Sequence, residues 1–327
     1  MASVTGNKLY FGDNLDVLRE KVKDESVDLV YLDPPFNSDA NYNVLFKQGG
    51  SASQAQAEAF RDTWDWGDGA ERAYDDIIRA NGDVALVVSG LRKWLGQNAM
   101  MAYLVMMAVR FLELRRVLKA DGSIYLHCDP TASHYLKIIM DAVFGHGGWR
   151  NELIWQRTSS HNDPKRYGRI HDSIFYYAKG DAPVWNQIYE KPDKDFFDAH
   201  DFETDENGQL YRKRDLTAPY RGGPSGQYKW KGRMPPKGRM WSYTNDNMLK
   251  LEAEGRIVYT RTGMPRLKIP VDQLRGLPLQ DVWANPELWL NSAAKERIGY
   301  PTQKPLALLD RIVRASSNEG DVVLDPF

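Results

Sequence analysis

Val27-Asp28-Leu29-Val30-Tyr31-Leu32 runs straight into Asp33-Pro34-Pro35-Phe36. The first six residues are a short, nearly continuous apolar run, as expected of a strand buried on both faces. Two prolines stop it, because proline brings no donor to a ladder and fixes its own φ. Asp33 therefore stands just beyond the carboxyl end of a buried strand, where open α/β sheets receive their ligands.

Outward from this point the chain alternates between strand and helix patterns. Residues 8–13 predict a short strand closed by Gly12-Asp13, and residues 14–22 a helix with Asp13 or Asn14 as its N-cap. Residues 37–75 are polar and predict a long loop with one short helix. Residues 97–119 predict a helix that is apolar nearly all round, hence buried, with its methionines as core filling. Strands are expected at 123–127, 152–156 and 173–178, with a helix at 133–144. That alternation predicts a mostly parallel sheet covered on both faces. The rhythm is lost over 181–285, which reads as an inserted domain, and returns over 286–327. The organisation expected is thus 1–180, 181–285 and 286–327. The last part holds a helix at 305–316 and a strand at 321–324 that enters Asp325-Pro326-Phe327.

The 327 residues are 42% hydrophobic and 27% charged, the composition of an ordinary globular protein. Cys128 is the only cysteine, so no internal disulfide and no cysteine-rich zinc site is possible, and a cytoplasmic location is expected. The longest apolar run, residues 100–109, is too short to span a bilayer. The net charge of −1 hides a segregation. Nine basic residues lie between Tyr211 and Met240: Arg212, Lys213, Arg214, Arg221, Lys229, Lys231, Arg233, Lys237 and Arg239. Only Asp215 opposes them there, whereas residues 193–206 are strongly acidic.

The chemistry open to Asp33-Pro34-Pro35-Phe36 is that of an aromatic amine. The lone pair of such a nitrogen is delocalised into its ring. The Asp33 carboxylate and the Pro34 carbonyl, each accepting one N–H, would draw it towards tetrahedral geometry. The prolines hold the carbonyl in place at little entropic cost, and Phe36 offers a face for a base taken out of its helix. The plainer alternative is a strand that merely ends there.

The Asp-Pro-Pro-Phe tetrapeptide resembles motif IV of the amino-methyltransferases that make N6-methyladenine or N4-methylcytosine in DNA. The continuation Asn37-Ser38-Asp39-Ala40-Asn41-Tyr42-Asn43 is similar to the adenine-specific group that includes type III restriction-modification subunits. So is the stretch from Glu296 to Leu309. The catalytic segment precedes the cofactor segment, which is the permuted β arrangement of that superfamily. The resemblance implies a Rossmann-like, S-adenosylmethionine-dependent methyltransferase sheet with an inserted target-recognition domain. It also implies base flipping in double-stranded DNA and a restriction subunit as a possible partner. Aspartate at the first motif position favours adenine N6, with N4-cytosine as the alternative. A non-catalytic nucleic-acid-binding module with a methyltransferase-like shell is the rival from another class.

By the same resemblance, Val323-Leu324-Asp325-Pro326-Phe327 is the first half of the cofactor motif, and Thr302-Gln303-Lys304-Pro305 borders the methionine part of the cofactor. Asp13 is implied at the cofactor's adenine, with the N-cap as its alternative, and Lys304 has the alternative of a solvated lysine at a helix start. The glycine turn expected after Phe327 is not in the sequence, so the chain reads as a piece of a longer gene product with weakened cofactor binding. In the inserted domain the nine basic residues alternate with aromatics, of which Tyr228, Trp230 and Trp241 are candidates for DNA contact; the alternative is a solvated basic loop around a small core. His127-Cys128-Asp129 reads as a strand end, and no metal-ligand pattern is present.

Overall fold

The computed structural model describes residues 6–35, 41–48, 51–61, 64–190, 197, 202–274, 276–290, 295–298 and 302–327, with backbone alone for the strands within 41–61. The chain divides into two compact units, one made of Met1–Ile188 with Gln280–Phe327, the other of Tyr189–Leu279.

The first unit contains strands β1 (Val27–Leu32), β2 (Asn41–Gln48), β3 (Ser51–Arg61), β4 (Leu118–Cys128), β5 (Trp149–Gln156), β6 (His171–Ala178), β7 (Val282–Trp283) and β8 (Val323–Leu324). Its helices are α1 (Asn14–Lys21), α2 (Asp68–Ala80), α3 (Gly82–Leu95), α4 (Ala99–Val117), α5 (Ser133–Phe144) and α6 (Leu306–Ser316). Six strands form one sheet in the order β7-β5-β6-β4-β1-β8. β1 is parallel to β4 and β8, and β5 to β7, while β6 is antiparallel to both its neighbours. β1, β4, β5 and β8 therefore all open at the same edge, and the sheet is mixed around the single reversed β6.

Side chains alternate across this sheet as the pleat requires. Val30, Leu32, Ile124, Leu126, Phe175 and Tyr177 join the large core built with α2 to α5. Thirteen of the 19 residues of α4 are buried, so it crosses the middle of that core, as its all-round apolar pattern predicts. On the opposite face, the Tyr125 and Tyr176 rings stack at 4.5 Å, and the Tyr125 hydroxyl meets Ser316 Oγ of α6 at 2.7 Å.

Three expectations are corrected. Residues 8–13 form no strand; they pair with no ladder among the described residues, and Leu9 and Phe11 lie fully exposed. Among the described residues of 37–75, β2 and β3 pair antiparallel and α2 begins at Asp68, where a long loop with one short helix is expected. Polar composition concealed that strand pair, whose cross-strand hydrogen bonds come from backbone and ask little of side-chain hydrophobicity. Trp230 and Trp241 are not surface aromatics. They are 3% and 1% exposed, in a core with Leu216, Met248, Ile257 and Leu267.

That core belongs to the second unit. Its main sheet has four strands in the order Ile257–Tyr259, Pro265–Pro270, Leu210–Asp215 and Phe202–Thr204, all antiparallel. A helix, Asn245–Ala253, is capped by Thr244 accepting from the Asn247 N–H. The Trp241 indole N–H donates to the Tyr228 carbonyl at 2.9 Å, and the Trp230 indole N–H to the Tyr259 hydroxyl at 3.3 Å. Both indoles are thus packed and satisfied inside the unit.

A buried polar chain crosses the carboxyl edge of the first unit's sheet. The Tyr31 hydroxyl lies 3.0 Å from His127 Nδ1, and His127 Nε2 lies 3.2 Å from Asp172 Oδ2. Arg157 Nε stands 3.6 Å from the other oxygen of Asp172. Trp155 packs edge-on against the His127 ring at 5.2 Å. Withdrawal from water would raise the Asp172 carboxyl. The hydrogen bond and charge of His127, with Arg157 and Lys304, outweigh it and hold Asp172 below the usual carboxylate range.

Trp241→Ala should cost about 3–5 kcal/mol of stability by removing a fully packed indole, read from denaturant unfolding followed by circular dichroism. A loss below about 1 kcal/mol would show that the indole is not part of a packed core. A second expectation concerns pH. The stability contributed by Asp172 is present above an unfolded-state value of about 3.9 and is lost as pH falls through its lower folded value. Asp172→Asn should therefore be less stable at neutral pH, by about 1–3 kcal/mol, and should lose stability less steeply than the wild type on acidification. Parallel acid limbs for the two proteins would remove Asp172 from that role.

Candidate active site

β1 delivers Asp33, Pro34 and Pro35 to the carboxyl edge of the sheet, and β8 delivers Asp325, Pro326 and Phe327 to the same edge beside it. Parallel pairing of Leu29 with Val323 and of Val30 with Leu324 sets that register. The Asp28 side chain reinforces it by accepting from the Val322 N–H at 2.9 Å while holding Lys119 at 2.7 Å. Pro34 and Pro35 are buried, which fixes the backbone that follows Asp33. Phe36 lies outside the described residues, as do residues 299–301.

Lys304 comes to this edge from a point 271 residues further along the chain. Its ammonium donates to Asp33 Oδ2 and to the Thr302 carbonyl, the latter at 3.2 Å. Asp325 completes the charge group: its carboxyl is pushed up to about 6 by withdrawal from water, with Asp33 adding to the rise and the Phe327 N–H and Lys304 opposing it. Two carboxylates and one ammonium thus share one edge of the sheet. Lys304 is not a solvated lysine; it is a partner of the central carboxylate.

Other expected residues take different places. Gln303 stitches its own loop, donating to the Glu296 carbonyl at 2.8 Å and accepting from the Ile298 N–H at 2.9 Å. Pro305 is buried and precedes α6 as its N-cap residue. Asp13 caps α1, accepting from the Leu15 N–H at 2.8 Å, and is ion-paired with Arg110 at 2.8 Å.

Arg110 was not singled out in the sequence, and it organises the second loop of the site. Its guanidinium, with its pKa pulled down by burial against the opposing pull of Asp13, donates to Asn14 Oδ1 at 2.6 Å. The Asn14 amide in turn donates to the Pro326 carbonyl at 2.7 Å. The clue in the sequence is the single charge of Arg110 inside the apolar run from Met100 to Phe111. Buried arginines need partners, and Asp13 and Asn14 are those partners. The Tyr31–His127–Asp172 chain was likewise not anticipated, although His127 is the strand end expected. Cys128 is fully buried, and burial pushes its thiol well up, the environment of an inert structural cysteine.

In the second unit, Lys213 pairs with Glu203, Lys231 with Glu252 at 2.5 Å, and Arg239 with Asp215 at 3.8 Å and Thr217 Oγ1 at 2.7 Å. Arg214, Arg221, Lys229, Arg233 and Lys237 are exposed and make no ion pair among the described residues. Among the described residues, no group of three or more His, Cys, Asp or Glu could hold a metal ion, and no helix is long and apolar enough to cross a membrane.

The sequence has relatives along nearly its whole length. It is 30% identical over 327 residues to the Type II methyltransferase M.EcaI of Enterobacter cloacae, covering 98% of this chain and 62% of that protein. It is 27% identical over 346 residues to the StyLTI Mod subunit, a Type III restriction-modification enzyme subunit of Salmonella typhimurium, covering 98% of this chain and 48% of that one. The chain thus spans about half to three-fifths of the length of these relatives. The crystal structure of the M1.HpyAVI–SAM complex overlaps 97% of this chain and 81% of its own at 14% identity, with a TM-score of 0.37, too loose a likeness to argue from. A DNA methylase family model, of the N6/N4 type, matches residues 27–327, from the first residue of β1 to Phe327, and the chain belongs to that family.

Proposed function

We propose that the chain carries the catalytic centre of a DNA methyltransferase that transfers a methyl group from S-adenosylmethionine to the N6 amine of adenine in a duplex, with the base flipped out. The observation that carries this reading is the meeting of Asp33 and Lys304 beside Asp325 at the carboxyl edge of adjacent parallel strands. The donor set suits the cofactor, which presents a carboxylate, an ammonium and a cationic sulfonium to an edge carrying one ammonium and two carboxylates. Thr302, Lys304, Asp325, Pro326 and Phe327 are the residues that would hold it, with Asp13 behind them. S-adenosylmethionine would supply a methyl group on a sulfonium, from which a neutral thioether leaves with the electron pair of the broken C–S bond; the nitrogen becomes acidic as the methyl arrives and gives up one N–H proton, so no strong base is needed.

The chain's own residues act on the amine. Asp33 accepts one N–H with its carboxylate and the Pro34 carbonyl accepts the other, so the nitrogen lone pair is localised towards the methyl group. Interactions that strengthen as the nitrogen becomes tetrahedral lower the barrier, whereas equal binding of ground state and transition state would not. Lys304 holds Asp33 by one oxygen and leaves the other for the amine. Phe36 is the stacking face for the extruded base. The aspartate at the start of the tetrapeptide supports adenine, and the likeness to a Mod subunit supports a restriction subunit as partner. The Tyr189–Leu279 unit is the proposed target-recognition domain, with Arg214, Arg221, Lys229, Arg233 and Lys237 as the basic residues open to phosphates.

Nucleoside mass spectrometry after incubation of unmodified genomic DNA with cofactor and the protein should reveal N6-methyladenine. N4-methylcytosine instead would overturn the choice of base, and the absence of both would overturn the activity. Asp33→Ala should reduce transfer by about two to three orders of magnitude while duplex affinity stays near the wild-type value, because this carboxylate faces the base and not a phosphate. Replacing Arg221, Lys229 and Lys237 together with glutamine should weaken duplex binding and lower its log–log salt slope by about 0.9 for each phosphate that the variant no longer neutralises. A wild-type slope would move the DNA off these three cations.

A further inference from the structure

The loop that joins β5 to β6, residues 157–170, has no part in the reading above. β5 and β4 are both antiparallel to β6, and β4 is parallel to β1, so this loop opens at the same edge of the sheet as Asp33. Its sequence carries Arg157, Lys165, Arg166 and Arg169 against Asp163 alone.

The loop is a built structure. At its base the Arg157 N–H donates to the Ile170 carbonyl at 2.9 Å. Near its tip Asp163 accepts from the Lys165 N–H at 3.0 Å and from Arg166 Nε at 2.9 Å, and the Lys165 amide above all holds its carboxyl below the usual range. Gly168 lies so close to His161 that a Cβ there would stand 2.8 Å from the His161 carbonyl oxygen, so only glycine lets the two arms approach. What remains outermost is Lys165, Arg166 and Tyr167. The Tyr167 residue is 98% exposed, and Lys165 and Arg169 are exposed without an ion pair among the described residues.

An aromatic ring held wholly in water between unpaired cations, on a loop preshaped by its own hydrogen bonds, has the chemistry of a nucleic-acid contact. Cations take phosphates and release counterions, and a ring stacks on any base. Taking a base out of a duplex also leaves a gap with two bare stacking faces, which an inserted side chain re-covers. We propose that residues 157–170 form a second DNA contact on the catalytic unit, in which Lys165 and Arg169 take phosphates beside the target base and Tyr167 fills the space that the base vacates. This rests on the reading of the Asp33 edge as a base-flipping site.

The test uses the 327-residue protein with a duplex of about 30 base pairs, intact or carrying one central abasic site. Neither probe depends on knowing a recognition sequence. The wild type should prefer the abasic duplex by about tenfold or more, Tyr167→Ala should abolish that preference, and Tyr167→Phe should retain it. Lys165→Gln combined with Arg169→Gln should lower the salt slope of binding to the intact duplex by about 1.8, two phosphates at about 0.9 each. Either readout at its wild-type value overturns the proposal, as does a wild type without the preference. Nucleoside analysis of the same wild-type protein keeps the two readings apart. Methylated DNA with an unshifted slope sinks the loop alone, whereas the expected shifts without methylation sustain the loop as a DNA contact and sink the methyltransferase reading.

Discussion

Parallel pairing of neighbouring strands is the constraint on which the first unit depends. Two parallel strands cannot be joined by a tight turn, so β1, β4 and β8 come from distant parts of the chain and their connections cross the sheet faces. The consequence is chemical as well as topological. Every strand that runs with β1 ends at the same edge, so Asp33, Asp129, Arg157 and Asp325 all follow strand ends on one side of the sheet. Asp28 guards this arrangement from within β1. One carboxylate oxygen accepts from the Val322 backbone and the other holds Lys119, so β8 cannot slip without leaving a buried charge with one partner fewer. A slip of one residue would also turn the side chains of β8 to the other face.

The elements that could be read from the sequence are those whose local signal agrees with their tertiary role. β1 is bounded as expected because an apolar run meets two prolines, and α5 because its apolar stripe ends at Gly145, which adopts a φ of +79°. The paired strands β2 and β3, and residues 8–13, which join no ladder among the described residues, are the opposite case. Leu9, Tyr10 and Phe11 have strand propensity and no ladder to join, while a polar segment rich in glutamine and alanine pairs along its length. Propensity describes a residue, whereas a ladder needs a partner, and only the fold supplies one.

The candidate site divides the same way. Asp33 was legible because its position after a buried strand is a local fact, and Lys304 because it sits in a recognisable motif. Their contact was not, since nothing in a sequence measures a distance across 271 residues. Arg110 and the Tyr31–His127–Asp172 chain share that property: each is a buried polar group whose presence demands partners without naming them. The basic segment of the second unit adds another lesson. Nine cations look like one patch in sequence, yet Glu203 and Glu252 from outside the segment pair with Lys213 and Lys231, Asp215 within it pairs with Arg239, and two of the interleaved aromatics make the core. Which cations remain for phosphates is decided by pairing, which the linear charge count does not contain.

The Lys304–Asp33 pair ties these observations to the chemistry. The proposed role asks the Asp33 carboxylate to accept an amine N–H. Withdrawal from water raises the carboxyl of Asp325 on the same edge. The Lys304 ammonium donates to Asp33 Oδ2 and also to the Thr302 carbonyl, which ties it to this carboxylate from a second point. The buried Pro34 and Pro35 fix the backbone that adjoins it. The ion pair therefore orients the carboxylate. Its position, after the end of a strand whose neighbours all open at the same edge, gives the site its direction.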